Sequence, residues 1–307
     1  MLRLTLVGAA ALLVSASAAV AASPLKLAIT VDDLPVHGPT PVNETPQLIA
    51  DRTIAAFQAA HVTTVTGFVN GQWSVTQPSA MGVLTAWRKA GLAIGNHSWS
   101  HANLGEIGDE RLLGEIGGNE GVLNDYSKGG DWHWFRHPFL AEGKGERRLA
   151  LRRILAQRYY HIAAVTMDFS DWQWTAPYAR CVAAKDDGAI AELKRLYLQS
   201  AREDIASRRF LSQELYGRDI PYVLLMHIGA LDSYMLPQLL ALYREAGFSF
   251  VSLKEAEHDR VYREDVDPRL PPRESSLDGR ASLRRLPHPA VTDFAAKLAS
   301  ICPAPSP

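Results

Sequence analysis

The sequence has little cysteine, almost no net charge and, beyond its N-terminus, no long apolar run. Two cysteines in 307 residues, Cys181 and Cys302, exclude a disulfide-dense scaffold, and their spacing suggests no metal site. Two readings stay open for them: one bond tying the tail to a mid-chain loop, or two free thiols. A formal net charge of −1 gives no electrostatic argument for nucleic acid or an anionic membrane. No G-x-G-x-x-G or P-loop follows the first apolar strand, there is no G-x-S-x-G or H-E-x-x-H, and no repeat is evident beyond a strand–helix rhythm. Nucleotide cradles, nucleophile elbows and H-E-x-x-H metalloproteases therefore have no support.

The N-terminus reads as a secretory signal. Met1-Leu2-Arg3 is a short basic start, Leu4 to Val20 is apolar, and Ala19-Val20-Ala21 offers small residues for cleavage near Ala21 or Ala22. The expectation is export to the periplasm or outside, with no stable membrane insertion after cleavage. A retained anchor is the weaker reading, because the run is short and ends in small residues. The rest, 47% hydrophobic overall, suffices for a sizeable core. The expected organisation is a signal over 1–22, a folded domain over 23–257 and a tail over 258–307.

Within that domain, Leu27-Ala28-Ile29-Thr30-Val31 is apolar and β-branched, as a buried strand is, and ends in two carboxylates, Asp32 and Asp33, before Leu34-Pro35. Further strands are expected over 64–69, 92–94, 132–135, 161–167, 222–226 and 248–253. Helices are expected from a Thr45 cap to about His61, from Ser79 to a stop at Gly91, and over 109–123, 146–157, 189–210 and 233–246. Five arginines in or beside the 146–157 helix (Arg147, Arg148, Arg152, Arg153 and Arg158) read as a solvated face. About seven strand–helix units predict a parallel sheet in a closed or nearly closed barrel, with an open doubly wound sheet as the alternative. The Arg-, Pro-, Asp- and Ser-rich tail reads as a strap around the domain or as partly disordered, with a short helix over 291–299.

Position is the informative feature of the polar residues. Asp32/Asp33, His97/His101, Arg136, Asp168/Asp171/Trp172 and His227 each directly follow an expected strand. In parallel barrels that rim carries the active site. Each alone is ordinary turn chemistry; five on one rim are not. On a helical turn, His97 and His101 share a face and reach one ion. A carboxylate from another strand completes a site that suits hydrolytic zinc or non-haem iron. Adjacent carboxylates repel, and a metal on one, with the other free as a base, is a reason to hold both.

These segments, in this order, resemble the motifs of polysaccharide deacetylases of the NodB-homology group, carbohydrate esterase family four. T-F-D-D-G-P is here Thr30-Val31-Asp32-Asp33-Leu34-Pro35. H-[ST]-x-x-H is His97-Ser98-Trp99-Ser100-His101, and R-x-P-[FY] is Arg136-His137-Pro138-Phe139. D-x-x-D-W is Asp168-Phe169-Ser170-Asp171-Trp172, and L-x-H is Leu225-Met226-His227. The resemblance spans Leu27 to about Leu253. It implies an α/β fold, a distorted (β/α)7 barrel, and removal of acetyl groups from N-acetylated sugars such as chitin oligosaccharide or peptidoglycan. Asp33, His97 and His101 would hold one divalent metal, usually zinc, with cobalt or nickel as alternatives. Asp32 would be the general base, paired with Arg136, and His227 the acid that protonates the leaving amine, oriented by Asp171. The Phe139 N–H would stabilise the oxyanion, and Trp172 and Leu225 would wall the acetyl pocket. Asp168 would order its turn.

Three departures from the pattern stand out. Leu34 replaces the usual glycine, Phe139 replaces the commoner tyrosine, and the segment 173–219 is long enough to cover or reshape a substrate groove. His37, His133, His137 and His161 read as non-catalytic, and most of the other tryptophans as packing. Two rival functions stand beside the amide hydrolase: an O-acetyl esterase on a polymer such as xylan, and a sugar-binding barrel without catalysis. Oligomeric state is not encoded in any feature of the sequence.

Overall fold

The computed structural model describes residues 25–303, and the expected signal segment lies outside them. Seven strands form one parallel sheet: β1 (Leu25–Leu34), β2 (Thr66–Val69), β3 (Ala93–Asn96), β4 (Trp134–Phe135), β5 (His161–Ile162), β6 (Tyr222–His227) and β7 (Phe248–Val251). Their order is β5-β4-β3-β2-β1-β6, with β7 paired to the first residues of β1. The strands are those expected, with ends moved by a few residues. β1 is buried from Leu27 to Asp32, as its unbroken apolar run requires of a central strand covered on both faces.

The sheet curls until its far side meets β6. Met167 forms a parallel bridge with Leu224, and the Leu225 N–H donates to the Met167 carbonyl at 3.0 Å. Between β5 and that bridge the expected strand over 161–167 is interrupted. Arg136 takes the carbonyls of Ala163 and Ala164 (3.1 and 3.3 Å), and Glu257 accepts the Ala164 N–H at 2.6 Å. Backbone groups used by side chains are not available to a ladder.

The main helices are α1 (Pro46–Ala59), α2 (Gly82–Lys89), α3 (Asp109–Ser127), α4 (Gly145–Gln157), α5 (Thr175–Ala184), α6 (Asp187–Tyr216) and α7 (Ala230–Glu245). Thr45 caps α1 by accepting the Leu48 N–H at 3.2 Å, with Pro46 in the first turn. The helix expected from Ser79 starts with a tighter turn, Pro78–Met81, before α2. α5 is not among the expected helices, and α6 extends beyond the expected 189–210 at both ends; Asp186 caps it by accepting the Ala189 N–H at 2.8 Å. No helix among the described residues is long and apolar enough to cross a membrane.

The tail is a packed strap. It carries α8 (Leu277–Leu283) and α9 (Ala295–Ser300), buries Leu277, Ala281, Phe294 and Leu298, and is joined to α5 by a Cys181–Cys302 disulfide. Four of the five arginines in or beside α4 do not form a solvated face; only Arg153 is exposed. Arg152 is buried and donates to the carbonyls of Glu264 and Asp267 at 2.6 and 2.7 Å. Arg148 donates to the Arg273 carbonyl at 2.6 Å, Arg158 pairs with Glu120 at 2.7 Å and Arg147 with Asp109. Charge density on a helix did not distinguish solvent from a strap of carbonyls laid across it. Arg152→Ala should therefore cost about 3 kcal/mol in urea unfolding, through the stranded carbonyls of Glu264 and Asp267 and the loss of one of the two guanidiniums beside Glu142. Arg153→Ala, at an exposed position of the same helix, should stay within about 0.5 kcal/mol.

Candidate active site

Asp32 lies opposite His227 in the β1–β6 register. Asp33 turns into the left-handed region (φ 64°), which aspartate tolerates better than most residues. Neighbouring side chains on a regular strand point to opposite faces, yet both carboxylates line one cavity. The turn at Asp33 is what brings the second one round.

His97 and His101 do not lie on a helical turn. Their segment is a loop with Ser98 and His101 left-handed (φ 66° and 58°). Asparagine amides hold it: Asn70 donates to the His97 carbonyl at 2.6 Å, the Ser98 N–H donates to Asn96 Oδ1 at 2.8 Å, and Asn119 donates to the same oxygen at 2.9 Å. The outcome matches the expectation by another route, with ring centroids 4.9 Å apart. His97 Nδ1 donates to the Arg136 carbonyl at 2.9 Å, which leaves Nε2 bare as a ligand atom. Asp33 Oδ1 lies 3.4 Å from Nε2 of both His97 and His101. It is buried and has no hydrogen-bond partner among the described residues. A carboxylate oxygen without a donor, facing two bare imidazole nitrogens, fits a divalent ion of the zinc class.

Burial alone would raise the Asp33 carboxyl. The His37 hydrogen bond and the His97 contact outweigh it and hold this group well below the usual carboxylate range. Burial pushes the His101 pKa down despite the Asp33 charge. Arg136 is fully buried and reaches both Asp32 oxygens at 3.3 Å and Thr30 Oγ1 at 3.0 Å. Asp171, also fully buried, accepts from the His227 N–H at 2.6 Å and from its Nδ1 at 2.8 Å. Burial disfavours the His227 charge, but Asp171 overrides it, with help from Asp33 and Asp32, and pushes the pKa up to about 10.

The cavity has a volume of about 390 Å³. Leu225 forms part of its wall, and Trp172 and Phe139, half or more exposed, stand at its edge. Phe139 is left-handed (φ 56°). The N–H groups of Leu140 and Ala141 are taken by the carbonyls of His137 and Pro138, whereas that of Phe139 has no acceptor among the described residues. Asp168 accepts the Ser170 N–H at 2.7 Å, ordering the turn. All ten sequence-selected residues are therefore gathered in and directly behind one cavity. No residue of 173–219 lines it; that segment builds α5 and α6.

Two cavity residues were passed over as non-catalytic. His37 sits 2.6 Å from Asp33. His137 is buried, its pKa is pushed down to about 4 by that burial, and its Nε2 has no partner among the described residues. The signal for His37 was the rim itself: it follows the β1 carboxylates by four residues.

Among solved structures, the chain is similar to a CE4 family pseudoenzyme from Bacillus anthracis, with 15% identity over 76% of this chain and 66% of that one and a TM-score of 0.52. A CE4 pseudoenzyme mutant with restored enzymatic activity gives 15% identity, 76% and 68% coverage and a TM-score of 0.53. A deacetylase solved with substrate gives 19%, 76% and 92%, and 0.50. At such identities the likeness is one of fold, and it agrees with the distorted barrel expected from the strand–helix rhythm. No curated protein matches the sequence significantly. Residues 20–176 match the family model of polysaccharide deacetylases, more than half of the chain, and the protein belongs to that family.

Proposed function

We propose that this chain is a metal-dependent hydrolase that removes acetyl groups from N-acetylated sugars, with chitin oligosaccharide and peptidoglycan as the substrate classes. The observation that carries this reading is the Asp33 Oδ1 atom, buried, without a donor among the described residues and equidistant from two imidazole nitrogens, in a cavity that also holds Asp32 and His227. Zinc is the proposed ion, with cobalt or nickel as alternatives; held by Asp33, His97 and His101, it supplies Lewis acidity toward water and the acetyl carbonyl.

The chain's own groups supply the rest. Asp32, fixed by Arg136, takes the proton of the attacking water as its oxygen bonds to the carbonyl carbon. The Phe139 N–H, which has no acceptor among the described residues, donates to the resulting oxyanion. His227, kept protonated by Asp171, delivers its proton to the amide nitrogen as the carbon–nitrogen bond breaks, giving acetate and a free amino sugar. Exposed Phe139 and Trp172 offer apolar faces to a sugar ring. We also propose that the protein is exported; the N-terminal apolar run and a disulfide, which persists in oxidising compartments, support this.

The first test is acetate release from N-acetylglucosamine oligomers, peptidoglycan and acetylated xylan, after chelation and after zinc is restored. Release from an N-acetylated substrate with new free amines, lost on chelation, is expected; release from xylan alone would identify an O-acetyl esterase. Asp32→Asn should lower kcat about 10²–10⁴-fold with zinc content unchanged by elemental analysis, and near-normal turnover would remove Asp32 from the base role. His227 acts as an acid, so activity falls as pH rises through its pKa. Asp171→Asn removes the charge that raises that pKa and should move the alkaline limb of kcat/KM down by roughly 1–3 units; an unmoved limb would contradict the assignment.

A further inference from the structure

His37 belongs to none of the motifs, yet it is part of the site. It lies on the loop that leaves β1, and its N–H donates to the Ile228 carbonyl at 2.9 Å, tying the loop to the chain just past β6. The turn that follows needs Gly38, at φ 67°, where a Cβ would meet Thr175 Cγ2 at 2.9 Å. Held in this way, the ring reaches three parts of the site. Nδ1 is 2.6 Å from Asp33 Oδ2, Nε2 is 3.4 Å from the Trp172 carbonyl, and the ring centroid is 4.6 Å from that of His227.

The two oxygens of Asp33 thus have different surroundings. Oδ2 accepts a short hydrogen bond from His37, while Oδ1 has no donor among the described residues and faces His97 and His101. A carboxylate free to rotate offers either oxygen, or both, to an ion. One whose Oδ2 is tied offers Oδ1 in a fixed direction, and partners of this kind commonly set metal affinity. We propose that His37 is a positioning residue for the metal-binding carboxylate: its Nδ1–H engages Asp33 Oδ2, so that Oδ1 alone completes the site with the two imidazoles. This rests on the metal-dependent reading above.

The test is the zinc affinity of the full chain, by competition with a chromophoric chelator, for wild type, His37→Ala and His37→Asn, with thermal melts to compare folding. Asparagine is chosen because its amide nitrogen takes roughly the place of Nδ1 and can donate the same bond, but it has no Nε2. His37→Ala should weaken zinc binding about 10–100-fold at an unchanged stoichiometry of one, and His37→Asn should recover most of the loss. Wild-type affinity in a folded His37→Ala would overturn the proposal. So would failure of asparagine to rescue, or a second bound zinc lost in His37→Ala, since either would make the ring itself a ligand. If the wild type binds no zinc, the metal-dependent reading fails with it; if the wild type binds zinc and His37→Ala binds it equally well, that reading stands and this inference alone falls.

Discussion

The buried guanidinium of Arg136 is the interaction on which the site depends. A fully buried cation is tolerated only when it is paired and all its donors are used. Here one arm meets both Asp32 oxygens, the other meets Thr30 and the Ala164 carbonyl, and Nε meets the Ala163 carbonyl. Its own carbonyl accepts from His97 Nδ1. One residue therefore fixes the first carboxylate, sets the tautomer of an imidazole beside the second, and interrupts the strand after β5. The gap in the barrel and the geometry of the site have the same cause.

That arrangement lets two adjacent carboxylates share a buried cavity. Side by side, each charge disfavours the other. Asp32 is matched by Arg136 and Asp33 by imidazoles, so their surroundings differ in kind. The separation is a precondition for giving them different tasks, and it follows from topology: Arg136 arrives after β4, the histidines after β3, and His227 at the end of β6. Only a parallel sheet delivers all of these to one end of the strands.

Most of the site was legible in the sequence because it obeys that rim rule. The strand core of β1, the Thr45–Pro46 helix start and eight of the ten candidate site residues could be read from local pattern, whereas Phe139 and Leu225 came only through the family resemblance. The parts that were not legible depend on contacts distant in sequence. Arg152 looks like any surface arginine until residues 264–267 are laid over it. The 161–167 strand is apolar enough to be continuous, but its carbonyls are claimed by a side chain from β4's end. His97 and His101 meet through a loop held by three asparagines, where their spacing suggested a helix. The cysteine pair, open from sequence, is decided by where the tail lies. His37 reads as non-catalytic from sequence because it falls outside the recognised motifs; its contact with Asp33 is visible only in the fold.

The departure at Leu34 shows how a motif boundary misleads. The usual glycine after the second carboxylate suggests a position that needs left-handed freedom. In this chain the left-handed residue is Asp33, and Leu34 remains in β1, paired with Val69 and fully buried. Its side chain needs room, and Gly67 on the neighbouring strand supplies it: a Cβ there would meet both Leu34 methyl carbons at 2.8 and 2.9 Å. Leucine at 34 and glycine at 67 thus form a complementary pair across β1 and β2. The leucine anchors the strand to the core one residue past the carboxylate, so the turn is confined to Asp33 and the chain leaves the sheet at Pro35 toward Ile228. That path carries His37 back over the site. The substitution that looks like an erosion of the motif is, structurally, the start of the loop that adds a third imidazole beside Asp33.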